Sequence, residues 1–280
     1  MGNFNRAQSH VRSAVSTILK ERPPEVWELY HEHSKLRRGD REFLIRIGGF
    51  FGNPSLQALT GRVFKVYATA PKVRLDGIAD DESHLERLIR SRRSAQAWSQ
   101  TAVPLPAVAR LLKGASGITG VGTSTSISQF FRAAPSGGAL YPIETYAALF
   151  RVDGAMEGLY HYDARENVLE QLDRESGLRA RLAGATAYPG VVGRSAFLIM
   201  LTAIFERTTL KYGDRGYRFA LLEAGHIAQN VCLMAEELGL GALCVGGFYD
   251  REVEALVGID GIDESVIYMV AVGYKAGTGE

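Results

Sequence analysis

The sequence predicts a mixed fold, an α+β or α/β sandwich in which helices cover a sheet. Three observations predict it. The second half alternates short β-type stretches with helical patterns. Its longest apolar run, Ala196 to Phe205, is about half of the roughly 20 residues a membrane span needs and so reads as a buried strand. Turn signals at Asp153-Gly154 and Glu166-Asn167 separate ETYAALFRV, GLYHYDA and VLEQL in the manner of a meander.

From the N-terminus, VRSAVSTILK, PEVWELYHEHSKLRR and REFLIRIGGFFGNPSLQAL read as helices, the last interrupted by Gly48, Gly49, Gly52 and Pro54. KVYATA and PKVRLDG read as extended. Residues 1–80 are therefore expected to form a helical accessory region, and 81–280 the main domain. DDESHLERLIRSRR is amphipathic, with Leu85, Leu88 and Ile89 on one face, and LPAVARLLKGASG is a short helix ending at glycine. From Ile118 to Phe131 the composition turns to Gly, Ser and Thr, which predicts a loop. A helix around Glu175 to Gly184 precedes the strand SAFLIMLTAIF. The long helix GYRFALLEAGHIAQNVCLMAEELG follows, stopped by Gly239. GALCVGGF and SVIYMVAVGY close the domain as strands on either side of a short helix, Asp250 to Val257.

Composition excludes several functions. The chain has 280 residues, 46% hydrophobic, with a formal charge of +1 and 22% charged residues of mixed sign, so neither nucleic acid nor a membrane surface is the expected partner. The start, MGNFNRAQSH, lacks the apolar core of a signal peptide, which predicts a cytoplasmic protein. Cys232 and Cys244 are the only cysteines and read as reduced, buried thiols. His31 and His33 lack metalloprotease spacing, no metal site is expected, and neither a GxSxG elbow nor a GxxxxGK[ST] loop occurs.

Four stretches concentrate chemistry. SRRS, Ser91 to Ser94, ends a helix with two arginines whose guanidinium forks match phosphate oxygens. PSGGALYP pairs two prolines with Gly137 and Gly138, giving rigid backbone that a flat ligand can approach. VGGF places Gly246 and Gly247 directly after an apolar strand. LKYGDRGYR holds Lys211 and Tyr212, more than helix capping needs, since Asp214 alone could serve as the cap. Read as extended, Lys211 and Tyr212 point to opposite sides. Arg215 and Arg218 read as partners for Glu223 or for another subunit, and Glu223, His226 and Gln229 as interface packing. The tyrosines of GLYHYD read as cross-strand pairs.

Through HEHSK, SRRS, RAAPSGGALYPIE, GLYHYD, LKYGDRGYRFALLEAGHIAQN, GLGALCVGGF and VAVGY, the chain resembles the SagB-type dehydrogenase (azoline oxidase) branch of the nitroreductase superfamily. The resemblance runs from about Tyr30 to Tyr274. It implies an α+β fold and an intertwined homodimer that binds FMN at its interface with residues of both subunits. By the same resemblance Arg92, Arg93 and Ser94 contact the phosphate, with Gln96 standing where related sequences carry a third arginine. Pro135, Ser136, Gly137 and Gly138 line the isoalloxazine, Gly246 and Gly247 bring backbone towards its N5, and Lys275 helps to neutralise the phosphate. Lys211 and Tyr212 match the catalytic Lys-Tyr pair of the azoline oxidases.

The implied activity oxidises a thiazoline or oxazoline ring of a peptide, made by a separate cyclodehydratase, to the azole. Hydride goes to the flavin and a proton to Lys211 or Tyr212, and sequence leaves open which. The alternative on the same fold is an NAD(P)H-dependent nitroreductase or flavin reductase. A non-catalytic scaffold is disfavoured by the intact glycine, proline and arginine motifs. The N-terminal region could dock a peptide or partner enzyme, or extend the dimer interface.

Overall fold

The computed structural model describes residues 23–60, 64–75, 82–122, 129–173 and 176–277; the expected helix VRSAVSTILK lies outside them. The chain divides into compact units Met1–Ser34 and Lys35–Glu280. At the start of the second unit, the buried Lys35 ammonium pairs with buried Glu254 at 3.0 Å. Arg38 adds bonds to both Glu252 oxygens and to the Gly184 carbonyl. The first unit contains α1 (Val26–Ser34).

In the second unit the helices are α2 (Arg41–Phe51), α3 (Pro54–Thr60), α4 (His84–Ser91), α5 (Leu105–Ser116), α6 (Leu178–Gly184), α7 (Pro189–Val192), α8 (Glu206–Tyr212), α9 (Asp214–Glu237) and α10 (Asp250–Val257). The strands are β1 (Val103–Pro104), β2 (Ile118–Gly122), β3 (Gln129–Arg132), β4 (Ile143–Leu149), β5 (Val152–Asp153), β6 (Gly158–Asp163), β7 (Val168–Asp173), β8 (Phe197–Ala203), β9 (Gly241–Val245) and β10 (Ser265–Gly273).

Local chemistry explains the helix starts. The Asp40 carboxylate accepts from the Phe43 N–H at the start of α2. Ser83 and Glu86 form a reciprocal capping box on α4. Gly48 and Gly49 do not interrupt α2, which runs on to Phe51; the break falls at Gly52 and Asn53, whose side chain then caps α3.

Six strands form one sheet in the order β7-β6-β4-β8-β10-β9, and every pairing in it is antiparallel. That antiparallel sheet makes the fold α+β. β8 is buried along its whole length, as an apolar run covered on both faces must be. On one face α5 packs against α9, so closely that a Cβ on Gly114 would stand 2.7 Å from the Met234 sulfur. On the other, Tyr146, Ala148, Leu198, Met200 and Met269 pack with residues of α6, α7 and α10. The expected loop from Ile118 to Phe131 is instead flanked by strands: β2 pairs antiparallel with β3, Val121 opposite Phe130. Among the described residues no helix is long and apolar enough to cross a membrane.

Candidate active site

The residues expected around a flavin form two clusters on different elements. In the first, Arg92 caps the C-terminus of α4 and Ser94 bridges to Ala242 of β9. Gly241 is held against Ala95 and the Lys275 stem, which would lie 2.9 and 2.7 Å from an added Cβ. Arg93 is exposed and donates to the Arg90 and Arg92 carbonyls, Gln96 is exposed, and the Lys275 ammonium donates to Glu236 at 2.8 Å. Gly246 and Gly247 follow the other end of β9, and the Gly247 carbonyl accepts from the Ala187 N–H. Two guanidiniums, a hydroxyl, an amide and an ammonium are donors of the kind that can hold a phosphate.

Arg92 also adjoins the two cysteines. Their sulfurs lie 3.6 Å apart, both thiols are free, and the Cys244 thiol is held below its ordinary pKa. The hydrogen bond from Cys232 is the main cause; burial opposes it, while Tyr268 and the Arg92 charge assist.

The second cluster is the loop 135–141 under the end of α8. Gly138, Ala139 and Tyr141 have φ of 69°, 53° and 47°, so the left-handed region recurs in a short span, two of the three positions not being glycine. The Ser136 hydroxyl accepts the Tyr141 N–H at 2.9 Å and fastens the loop. Lys211 and Tyr212 are not extended, as expected from sequence, but form the last turn of α8. An added Cβ on Gly138 would stand 2.5 Å from the Tyr212 Oη and 3.1 Å from the Lys211 Nζ. The helical turn thus brings both polar atoms over one glycine. Phe219 sets the Tyr212 ring edge-on at 5.1 Å, and the ammonium lies 5.0 Å from that ring's centroid. Gly137 is also closed to a side chain, its Cβ position lying 3.0 Å from Phe219. The absence of side chains at Gly137 and Gly138 is what lets Phe219, Tyr212 and Lys211 close on the loop backbone.

Gly213, φ 54° and ψ −142°, links α8 to α9 and takes the capping position expected of Asp214, which instead begins α9. Arg215 and Arg218 are exposed. The GLYHYD tyrosines are tied locally, Tyr160 donating to the Met156 carbonyl and Tyr162 to Asn167.

Sequence reasoning read Glu223 as an arginine partner or interface residue and missed its burial beneath this loop. Glu223 on α9 is 2% exposed. It bonds the Ser136 hydroxyl and the Ile143 N–H, and its Oε2 has no hydrogen-bond partner. Burial raises its pKa to about 7, against the pull of those bonds and of the Arg132 and Arg207 charges. The only sequence signal was its place on the apolar face of α9, one turn from Ala220 and Ile227. Beside it, Glu144 is ion-paired with Arg207 at 2.5 Å and lies 3.3 Å from His161. Burial works to raise the Glu144 pKa, but His161, Arg207 and Arg132 together hold it at about 2.

The family described as the nitroreductase family matches residues 89–274. MJ1384 of Methanocaldococcus jannaschii, which carries a nitroreductase name, is 35% identical over 196 residues, covering 70% of this chain and 93% of its own. The microcin B17-processing protein McbC of Escherichia coli is 34% identical over 134 residues, 45% of this chain and 48% of its own, so the match spans about half of that relative's length. A chain in the structure of the E. coli microcin synthetase McbBCD complex superposes with a TM-score of 0.56 at 22% identity, covering 92% of this chain and 100% of that one. This last likeness is one of fold.

Proposed function

Because the chain belongs to the nitroreductase family, we propose that it is an FMN-dependent dehydrogenase that oxidises thiazoline or oxazoline rings to azoles in a peptide natural product. The observation that carries this reading is the convergence of the Lys211 Nζ and the Tyr212 Oη over Gly138. The peptide-processing name of McbC supports the substrate class. A ring of this kind needs a separate cyclodehydratase to make it.

FMN, when bound, supplies the two-electron acceptor. Arg92, Arg93, Ser94, Gln96 and Lys275 would hold its phosphate end, and Gly246, Gly247 and Pro135 to Gly138 would leave room for its ring. Since the two clusters rest on different elements, a homodimer would let two protomers complete one site. The chain's own chemistry is the handling of a proton. Lys211 or Tyr212 takes it from the ring carbon next to the carbonyl, while Phe219 and Gly138 keep the pair and the ring plane in register.

The test is anaerobic. FMN-loaded protein mixed with a thiazoline-bearing peptide should lose its visible flavin absorbance, and Lys211→Ala or Tyr212→Phe, whichever removes the base, should abolish that loss. A second reading, an NAD(P)H-dependent reductase, is favoured by the match to MJ1384 over nearly its full length. Bleaching by NADPH alone, with none by the thiazoline peptide, would establish it and overturn the first.

A further inference from the structure

Beside the Gly138 loop opens a cavity of about 600 Å³. Ala139 to Tyr141 and Arg207 form part of its wall, so it shares both the loop and α8 with the Lys211-Tyr212 pair. Its charges do not cancel. The Glu144 carboxylate is taken up by Arg207 and His161, and Arg207 also donates to the Tyr141 carbonyl. Asp163 accepts the backbone N–H groups of Arg165 and Glu166.

Among the described residues neither Arg132 nor Arg165 makes a hydrogen-bonded ion pair with a carboxylate. Arg132 has one 3.3 Å bond, to the Ile143 carbonyl, and lies over the Tyr141 ring at 5.1 Å. Arg165 has Glu166 only at 3.7 Å and lies over the Phe130 ring at 5.9 Å. Glu223, near Arg132, is only partly ionised at neutral pH, and the Glu144 carboxylate, whose charge Arg132 also favours, is already paired with Arg207 at 2.5 Å. Both guanidinium planes are therefore backed by aromatic rings and have N–H groups left to donate. Such forks match a carboxylate, which can accept two parallel hydrogen bonds.

We propose that this cavity is a carboxylate subsite, in which Arg132 and Arg165 hold an acidic group of the peptide near the ring undergoing oxidation. The proposal rests on the peptide-dehydrogenase reading. It makes the enzyme selective for rings flanked by an acidic side chain or by a free C-terminus.

The experiment measures fluorescence anisotropy of labelled thiazole peptides, the unreactive products, on FMN-loaded protein. Three peptides suffice: glutamate with an amidated C-terminus, glutamine with an amidated C-terminus, and glutamine with a free carboxylate. At least one acid-bearing peptide should bind roughly tenfold or more tightly than the uncharged one, as a charge-assisted pair implies. Which one does so identifies the source of the carboxylate. The preference should shrink severalfold in Arg132→Gln and in Arg165→Gln; the latter side chain is exposed, so its loss should spare the fold and the FMN content. Equal affinity for all three peptides, no binding by any, or a preference that survives both substitutions would overturn the subsite. Bleaching by a thiazoline peptide without acid preference would remove only the subsite, and acid preference without bleaching would remove only the dehydrogenase reading.

Discussion

The Tyr212 hydroxyl lies 2.5 Å from the point that a Cβ on Gly138 would occupy. An alanine there meets both that hydroxyl and a backbone at φ +69°, which costs a residue with a side chain about 1–2 kcal/mol. Gly138→Ala should therefore lower the melting temperature by a few degrees. Under the dehydrogenase reading it should also slow azoline-dependent bleaching by at least tenfold, since Tyr212 must move. A variant that melts lower but turns over at the normal rate would separate the loop from the chemistry.

Stability should depend on pH through Glu223. Its folded pKa, about 7, lies above the ordinary 4.5, so the fold favours the protonated acid. The stability this contributes is complete below about pH 4.5 and is lost as pH rises through 7, an effect of about 3 kcal/mol. His161 acts with the same sign: burial lowers its pKa, but the hydrogen bonds it donates to Glu144 and Glu170 outweigh that and raise it. Comparison with Glu223→Gln isolates the acid, because the amide stays neutral throughout. Wild type should lose stability between pH 5 and pH 8 by more than the variant does, measured by urea denaturation at each pH. Parallel curves would rule out a raised Glu223.

How much of this was visible in the sequence depends on how local each feature is. Helix α9 was legible because Ala220, Ala224, Ile227, Val231 and Ala235 repeat with helical period, and all are buried. Strand β8 was legible as an unbroken apolar run. The β2–β3 hairpin was not, because Gly120 and Gly122 replace the side chains whose alternation would reveal a strand. Lys211 and Tyr212 could be picked out but not oriented, since their direction depends on the α8 turn and on Gly213. The charged cavity was invisible because Arg132, Glu144, Arg165 and Arg207 meet only when β3, β4, α8 and the turn after β6 are assembled.

The cysteines should differ in reactivity despite lying 3.6 Å apart. The Cys232 hydrogen bond, with help from Tyr268 and Arg92, favours the Cys244 thiolate, whereas the same pairing and burial push the Cys232 thiol up. Iodoacetamide at pH 7 should thus alkylate Cys244 well before Cys232, as peptide mass spectrometry would show. Arg92→Gln should slow the reaction modestly. Equal labelling of both thiols would contradict this ordering.

The buried pair of Lys35 and Glu254 gives the last prediction. Their side chains are 1% and 2% exposed and 3.0 Å apart. Ser265 also donates to Glu254, and the Lys35 ammonium to the Gly261 carbonyl. Two charges taken out of water are tolerated only while they compensate each other, and removing one leaves the other stranded at a cost of about 3–5 kcal/mol. Lys35→Met should cost about that much in urea denaturation, the exposed Arg251 at 3.5 Å being too weak a substitute. Adding Glu254→Gln should restore part of the loss, because no net charge then remains buried and the amide can still accept from Ser265. A double variant no more stable than Lys35→Met would mean that the ammonium's bond to Gly261, rather than charge compensation, fastens residue 35 to the domain.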